Sequence, residues 1–106
     1  MTKPVQYFVE IYGPDVVGCV GLQQQPNIDK IIHLSVLSNM RRFGIGRRLI
    51  TKALSESNKD TLYMSIRDDN IGSIKLALSF GFKLMGYIPK QNYNILNMCL
   101  FRGRNY

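Results

Sequence analysis

The chain reads as an α/β domain with element order β-β-β-α-β-α-β-β, and three observations carry that reading. Apolar, β-branched runs of strand length recur between clusters of Gly, Pro and Asn; two stretches switch to helical spacing; each of those stretches directly follows a strand. The expected architecture is a mixed, mostly antiparallel sheet with a central parallel strand pair and helices packed on it, because a strand–turn–helix–strand order makes the two strands parallel neighbours.

The elements follow in order. Tyr7 to Ile11 and Val16 to Leu22 flank Tyr12-Gly13-Pro14-Asp15, whose Gly and Pro supply turn geometry, so the pair forms a hairpin. Gln23 to Asn27 is polar, contains Pro26 and leads to a third strand over Lys30 to Val36. After a short polar turn, Ile45, Leu49, Ile50, Ala53 and Leu54 recur at helical spacing, which predicts a helix of three to four turns ending within Ser55 to Asp60. Leu62 to Ile66 is the parallel neighbour of the third strand. Asp68-Asp69-Asn70 offers N-cap side chains to a short helix carrying Ile74, Ala77, Leu78 and Phe80, stopped by Gly81. Phe82 to Ile88 and Tyr93 to Phe101 form a final antiparallel pair joined by Pro89 to Asn92, and the polar tail from Arg102 to Tyr106 is expected to fray.

Residues 1–106 suffice for a single domain with its own core and no metal or disulfide framework. Fourteen basic against seven acidic residues give +7, which favours an anionic partner without choosing among an acidic cofactor, RNA and an acidic protein. Cys19 and Cys99 lie in apolar runs without Cys-x-x-Cys or nearby His spacing, so they are expected as free thiols of a reducing compartment. No apolar run approaches a membrane span of about 18 residues, and Met1 to Pro4 is too short and polar for a signal peptide, so a cytoplasmic location with no membrane partner is expected.

The stretch from Leu34 to Ile50 carries the chemistry. A strand runs into Arg41-Arg42-Phe43-Gly44-Ile45-Gly46-Arg47-Arg48, which opens a helix. A helix N-terminus presents unpaired N–H groups and the positive end of the macrodipole, and so attracts phosphate. Glycines let the phosphate approach the backbone, and arginines add bidentate donors. A P-loop is excluded because no Gly-Lys-Ser/Thr follows, and the dinucleotide fingerprint because its third glycine is missing.

With Arg41-x-x-Gly44-x-Gly46 after Val36, then Asn70, Ser73 and Gly81-Phe82, the chain resembles the GCN5-related N-acetyltransferase (GNAT) superfamily over about residues 6–101. The resemblance implies a GNAT fold lacking part of the N-terminal region, with acetyl-coenzyme A as co-substrate. Backbone groups of Leu34, Ser35 and Val36 would pair with the pantetheine arm as with an added strand. Arg42, Phe43, Gly44, Ile45, Gly46 and Arg47 would hold the pyrophosphate, mainly by backbone N–H, and Arg41 and Arg48 would bind it with them through charge and donors suited to phosphate oxygens. Asn70, with Ser73 in the same segment, would meet the pantetheine near the thioester. A backbone N–H at Val36 or Leu37 would polarise the thioester carbonyl.

The sequence departs from the family at the chemical step. The tyrosine that many members place seven residues after the asparagine is Ala77, and the glutamate positions of the two central strands are Ile32 and Ser65. Strand alternation aims His33 at the face opposite Ile32, which favours a structural histidine over a base. Tyr87 and Tyr93 are expected to pack rather than reach the thioester, and Arg104 with Arg102 belongs to the charged tail. The implied activity is acetyl transfer to a primary amine by direct attack in a ternary complex, since proximity alone contributes much of the acceleration. No catalytic acid or base is identified. The alternatives are a non-catalytic coenzyme A-binding module and, behind it, a nucleic-acid-binding domain. The acceptor wall is reduced relative to complete members, so a large substrate or a homodimer is expected to complete it.

Overall fold

Every run read as a strand in the sequence becomes a strand of one six-stranded sheet in a computed structural model that describes residues 4–103. The strands are β1 (Val5–Tyr12), β2 (Asp15–Gln24), β3 (Asp29–Val36), β4 (Thr61–Arg67), β5 (Lys83–Pro89) and β6 (Asn94–Phe101), and the helices are α1 (Ile45–Glu56) and α2 (Ile71–Ser79). Their spatial order is β1-β2-β3-β4-β6-β5. All neighbours are antiparallel except β3 and β4, the predicted parallel pair.

One face of the sheet carries both helices. Val17, Val20, Leu22, Ile31, Leu62, Met64, Ile66 and Met98 point to that face and pack with Ile45, Leu49, Ile50 and Ala53 of α1 and Ala77 of α2. The burial of positions 45, 49, 50 and 53 is the one-face pattern of a 3.6-residue period. The other face bears no helix among the described residues, and Tyr63, Ser65 and Asn97 lie on it.

The polar turn after β3 is a 3₁₀ turn over Ser38–Phe43, ended by Gly44 in the left-handed region at φ +73°. Of the side chains expected to cap α2, Asn70 does so and the two acids do not. Asn70 Oδ1 accepts from Ser73 N–H at 3.2 Å, whereas Asp68 accepts from Asn94 Nδ2 at 2.9 Å and Asp69 pairs with Arg67 at 2.8 Å. Arg67 in turn lies 3.8 Å from the Tyr93 ring centroid, so the two acids brace loops instead of capping the helix.

Two further expectations are corrected. Arg102 is not a frayed tail residue: its guanidinium donates to the carbonyls of Leu54 (2.8 Å), Ser57 (2.9 Å) and Lys59 (3.1 Å from Nε), and its own N–H donates to Asp60 O at 2.7 Å. These carbonyls lie in the last turn of α1 and the loop just beyond it, where a cation meets the negative pole of the helix. Arg104, the other tail arginine, lies outside the described residues.

The second correction concerns His33. Alternation fails there because β3 bulges against β2: Ser35 faces Cys19 and Ile32 faces Gly21, so two residues of β3 oppose Val20. His33 takes φ +56°, the only positive φ at a non-glycine residue among those described. Its ring stacks on Tyr7 with 4° between planes and its Nδ1 meets Tyr7 Oη at 2.8 Å. A Cβ on Gly21 would lie 3.0 Å from both Ile32 Cγ1 and Tyr7 Cε1, so Tyr7 and Ile32 share the helix-free face, and His33 joins them there.

Asp29 is fully buried, yet the sequence gives no sign of its importance. It accepts from Ser57 Oγ at 2.6 Å, from Lys59 Nζ at 3.3 Å and from Gln25 N–H at 3.3 Å. The group ties the start of β3 to the loop between α1 and β4.

Candidate functional site

The parallel strands β3 and β4 are in register only from Asp29–Leu62 to Ile31–Met64. Beyond that point β3 continues to Val36 and β4 to Arg67 without pairing, so the sheet opens as a wedge at the carboxyl ends of its two parallel strands. Open α/β sheets take ligands at such places, because the helices that follow the strands begin there.

A cavity of about 380 Å³ occupies the mouth of this wedge. Leu34, Ser35 and Val36 line it from β3; Arg41, Gly44, Gly46 and Arg47 from the turn and α1; Asn70, Gly72, Ser73 and Leu76 from α2. Nine of the thirteen site residues expected from sequence therefore meet in one place. Gly72 and Leu76 join them, and neither has a signal that single-sequence reading would pick out.

The other four lie apart from the cavity lining. Ile45 is buried in the core, and Arg42 and Phe43 are exposed on the outside of the turn. Arg48 turns away: its guanidinium pairs with Glu10 of β1 through two hydrogen bonds and donates to the Phe43 carbonyl at 2.8 Å. That pairing, by hydrogen bond first, holds the Glu10 carboxyl below its ordinary value. Arg48 thus clamps the turn to β1 and faces away from the cavity.

The electrostatics of the cavity favour an anion. Both helices point their N-termini at it, each carrying about half a positive charge. Gly44 precedes α1 without any side-chain cap, so the first N–H groups of that helix have no side-chain partner, and a phosphate would supply one. Arg41 and Arg47 add two cations, and no Asp or Glu lines the space. Arg47 is held by Ser79 Oγ at 3.0 Å and lies 5.2 Å from the Phe80 ring centroid, which fixes it along α2. Gly46 has a packing role as well: a Cβ there would come within 3.0 Å of Leu76 Cδ2, so its absence lets α1 and α2 converge on the cavity.

Backbone polarity along β3 resolves an ambiguity. Leu37 N–H donates to Val17 O at 2.9 Å and is spent on β2. Successive residues of an antiparallel strand alternate in the direction of their N–H and C=O groups, so Val36 turns its pair toward the wedge. Of the two amides the sequence offered, Leu37 is therefore corrected and Val36 remains.

Among the described residues, the positions of the missing tyrosine and glutamates hold no acid or base. Ala77 is buried in the core, Ile32 is half-buried, and Ser65 Oγ donates to Asn97 Oδ1 at a long 3.4 Å. Tyr93 is occupied by Arg67, and Tyr87 is exposed on the edge strand. Among the described residues no cluster of His, Cys, Asp or Glu could hold a metal ion, and no helix is long and apolar enough to cross a membrane. Cys19 and Cys99 are free and half-buried.

Comparisons agree with this geometry. The ribosomal-protein-S18-alanine N-acetyltransferase of Escherichia coli superposes with TM-score 0.84 at 18% identity, covering 100% of this chain and 74% of that one. A GNAT family acetyltransferase from Elizabethkingia anophelis with acetyl-CoA bound gives 0.76 at 14% identity, covering 92% and 76%. Arabidopsis thaliana NAA60 in complex with a bisubstrate analogue gives 0.79 at 16% identity, covering 92% and 75%. At these identities the likeness shows a shared fold. No curated protein sequence matches the chain. The model of the acetyltransferase (GNAT) family matches residues 2–82, and the chain belongs to that family.

Proposed function

We propose that the protein is an N-acetyltransferase that transfers the acetyl group of acetyl-coenzyme A to a primary amine by direct attack in a ternary complex. The observation that carries the reading is the convergence of two helix N-termini, Arg41 and Arg47 on one carboxylate-free cavity at the mouth of the β3–β4 wedge. The uncapped start of α1 and the guanidinium groups suit a pyrophosphate. The outward N–H of Val36, and its C=O, which accepts only a long 3.5 Å contact from Arg41 Nε, suit the amides of a pantetheine arm running as an added strand. Asn70 uses Oδ1 for its cap, which leaves Nδ2 for that arm.

In the reaction the amine nitrogen bonds to the thioester carbonyl carbon, the carbon–sulfur bond breaks, and the ammonium proton ends on the departing thiolate. The products are an N-acetyl amine and free coenzyme A. Proximity is the main resource of such a site, with effective molarities of order 10⁵ M or more. A positioned acid or base would add about 10² to 10⁴. With Ala77, Ile32 and Ser65 at the usual acid and base positions, a slow enzyme is expected. The edge strands β1 and β5 favour a homodimer, which sedimentation would reveal.

Those same three residues favour a second reading, a coenzyme A-binding module without catalysis. A thiol-release assay with acetyl-coenzyme A and a panel of amines, run beside calorimetric binding of coenzyme A, separates the two. Binding with turnover supports the enzyme, binding with strictly zero turnover supports the module, and absence of binding overturns both.

A further inference from the structure

The helix-free face holds a second cavity, of about 360 Å³, which the cofactor reading does not use. Its floor is Lys30 of β3, Tyr63 and Ser65 of β4 and Asn97 of β6; Gln25 of the β2–β3 loop and Met85 of β5 stand at its sides. Register explains the grouping, because Lys30 lies opposite Tyr63 and Ser65 opposite Asn97, all on one face of adjacent strands. Met85 reaches it because β5 bulges between Leu84 and Gly86.

The position relates it to the wedge. The β3–β4 pairing ends at Ile31–Met64, so Ser65 is the first residue of β4 past the opening, and it lines this cavity. The cofactor cavity is on the helix side of the same opening. A group placed between the splayed strands is therefore accessible from the second cavity.

The charge gives the chemistry. Lys30 has no hydrogen-bond or ion-pair partner among the described residues, and no carboxylate lines the cavity. Its sequence neighbour Asp29 points to the opposite face and is committed to Ser57 and Lys59. Ser65 and Asn97 share only a 3.4 Å contact, so both retain capacity for a ligand. One unpaired ammonium among neutral polar groups suits a small anionic group, and two residues along the strand, about 7 Å away, lies the level of Ile32 where the wedge opens.

We infer that this cavity receives the acceptor and that Lys30 selects small aliphatic amines carrying a carboxylate, holding the acid end while the amine reaches the thioester. The inference rests on the acetyltransferase reading above. Transfer proceeds as already balanced: a carbon–nitrogen bond forms, the carbon–sulfur bond breaks, and coenzyme A leaves as the thiol.

The test measures kcat/KM with acetyl-coenzyme A for glycine, β-alanine and 4-aminobutyrate against their amides, in the native chain, Lys30→Met and Lys30→Arg. A charge-assisted contact predicts a preference for the acids of about tenfold or more, falling to about one in Lys30→Met and retained in Lys30→Arg. Calorimetric affinity for coenzyme A stays unchanged in both variants. A preference that survives Lys30→Met, or a native preference for the amides, overturns the inference. Bound coenzyme A with no turnover of any acid also overturns it while leaving the cofactor site intact; failure to bind coenzyme A removes the acetyltransferase reading and this inference together.

Discussion

His33 stacks on Tyr7 two strands away, across Gly21, in a conformation that a strand residue rarely takes. The left-handed region costs an ordinary side chain about 1 kcal/mol or more, and a β-branched one more still, whereas Asn tolerates it. His33→Val is expected to lower stability by about 2 kcal/mol and His33→Asn by no more than about 1 kcal/mol. Urea unfolding of both variants checks this, and equal losses would mean that the bulge relaxes when the ring is removed.

Arg48 and Glu10 give a pH-dependent clamp on the turn that precedes α1. The folded Glu10 carboxyl lies below its ordinary value of 4.5, so its contribution is fully present above that value and is lost as pH falls through the lowered one. Asp69, held down by Arg67, acts with the same sign in the same acidic window. Melting temperature should fall on acidification below about pH 4 more steeply in the native chain than in Glu10→Gln. Because Arg48 is exposed and Glu10 half-buried but open to solvent, 1 M salt should flatten part of that difference.

The fold was legible because local signals and tertiary requirements agree for most of this chain. The Gly13-Pro14 turn, the 3.6-residue period of α1 and the strand–helix–strand order each point to one arrangement. Nine of the residues expected at the candidate site line one cavity because they sit at a strand-to-helix junction or a helix cap, where backbone chemistry decides the residue type. What escaped reading depends on partners distant in sequence. The bulge at His33 needs the β2 register, the commitment of Leu37 N–H needs Val17, and the roles of Asp29 and Arg102 appear only once α1 has packed. Gly72 and Leu76 needed the angle between two helices, which no periodicity encodes.

Arg102 offers the clearest test of the tail. Its guanidinium satisfies carbonyls at the end of α1 and in the loop beyond, and those groups would lose their partner in Arg102→Ala. Hydrogen bonds from a charged donor contribute about 1.5 to 3 kcal/mol, and the bonds here act on one rigid unit, so a loss of about 2 to 3 kcal/mol is expected. Arg102→Lys should recover only part of it, since an ammonium cannot span the fork. Thermal unfolding distinguishes this from a frayed tail, for which both variants would match the native chain.

Gly44 separates conformation from ligand access at the candidate site. Its φ of +73° disfavours any side chain, but a Cβ there would meet nothing closer than Arg48 Nη1 at 3.4 Å, the flexible end of a side chain. Gly44→Asn should therefore fold with a loss of under about 1 kcal/mol, because Asn tolerates that conformation. Gly44→Glu should lose about 1 to 2 kcal/mol and still fold. Toward coenzyme A the two should diverge further: the neutral side chain obstructs the backbone approach, and the carboxylate adds repulsion where two helix N-termini and two arginines favour an anion. Calorimetry should give a weakening of about tenfold for Gly44→Asn and a loss beyond about 100-fold for Gly44→Glu. Unchanged affinity in a folded Gly44→Glu protein would remove the wedge mouth as the pyrophosphate site, and with it the geometric basis for acetyl transfer in this chain.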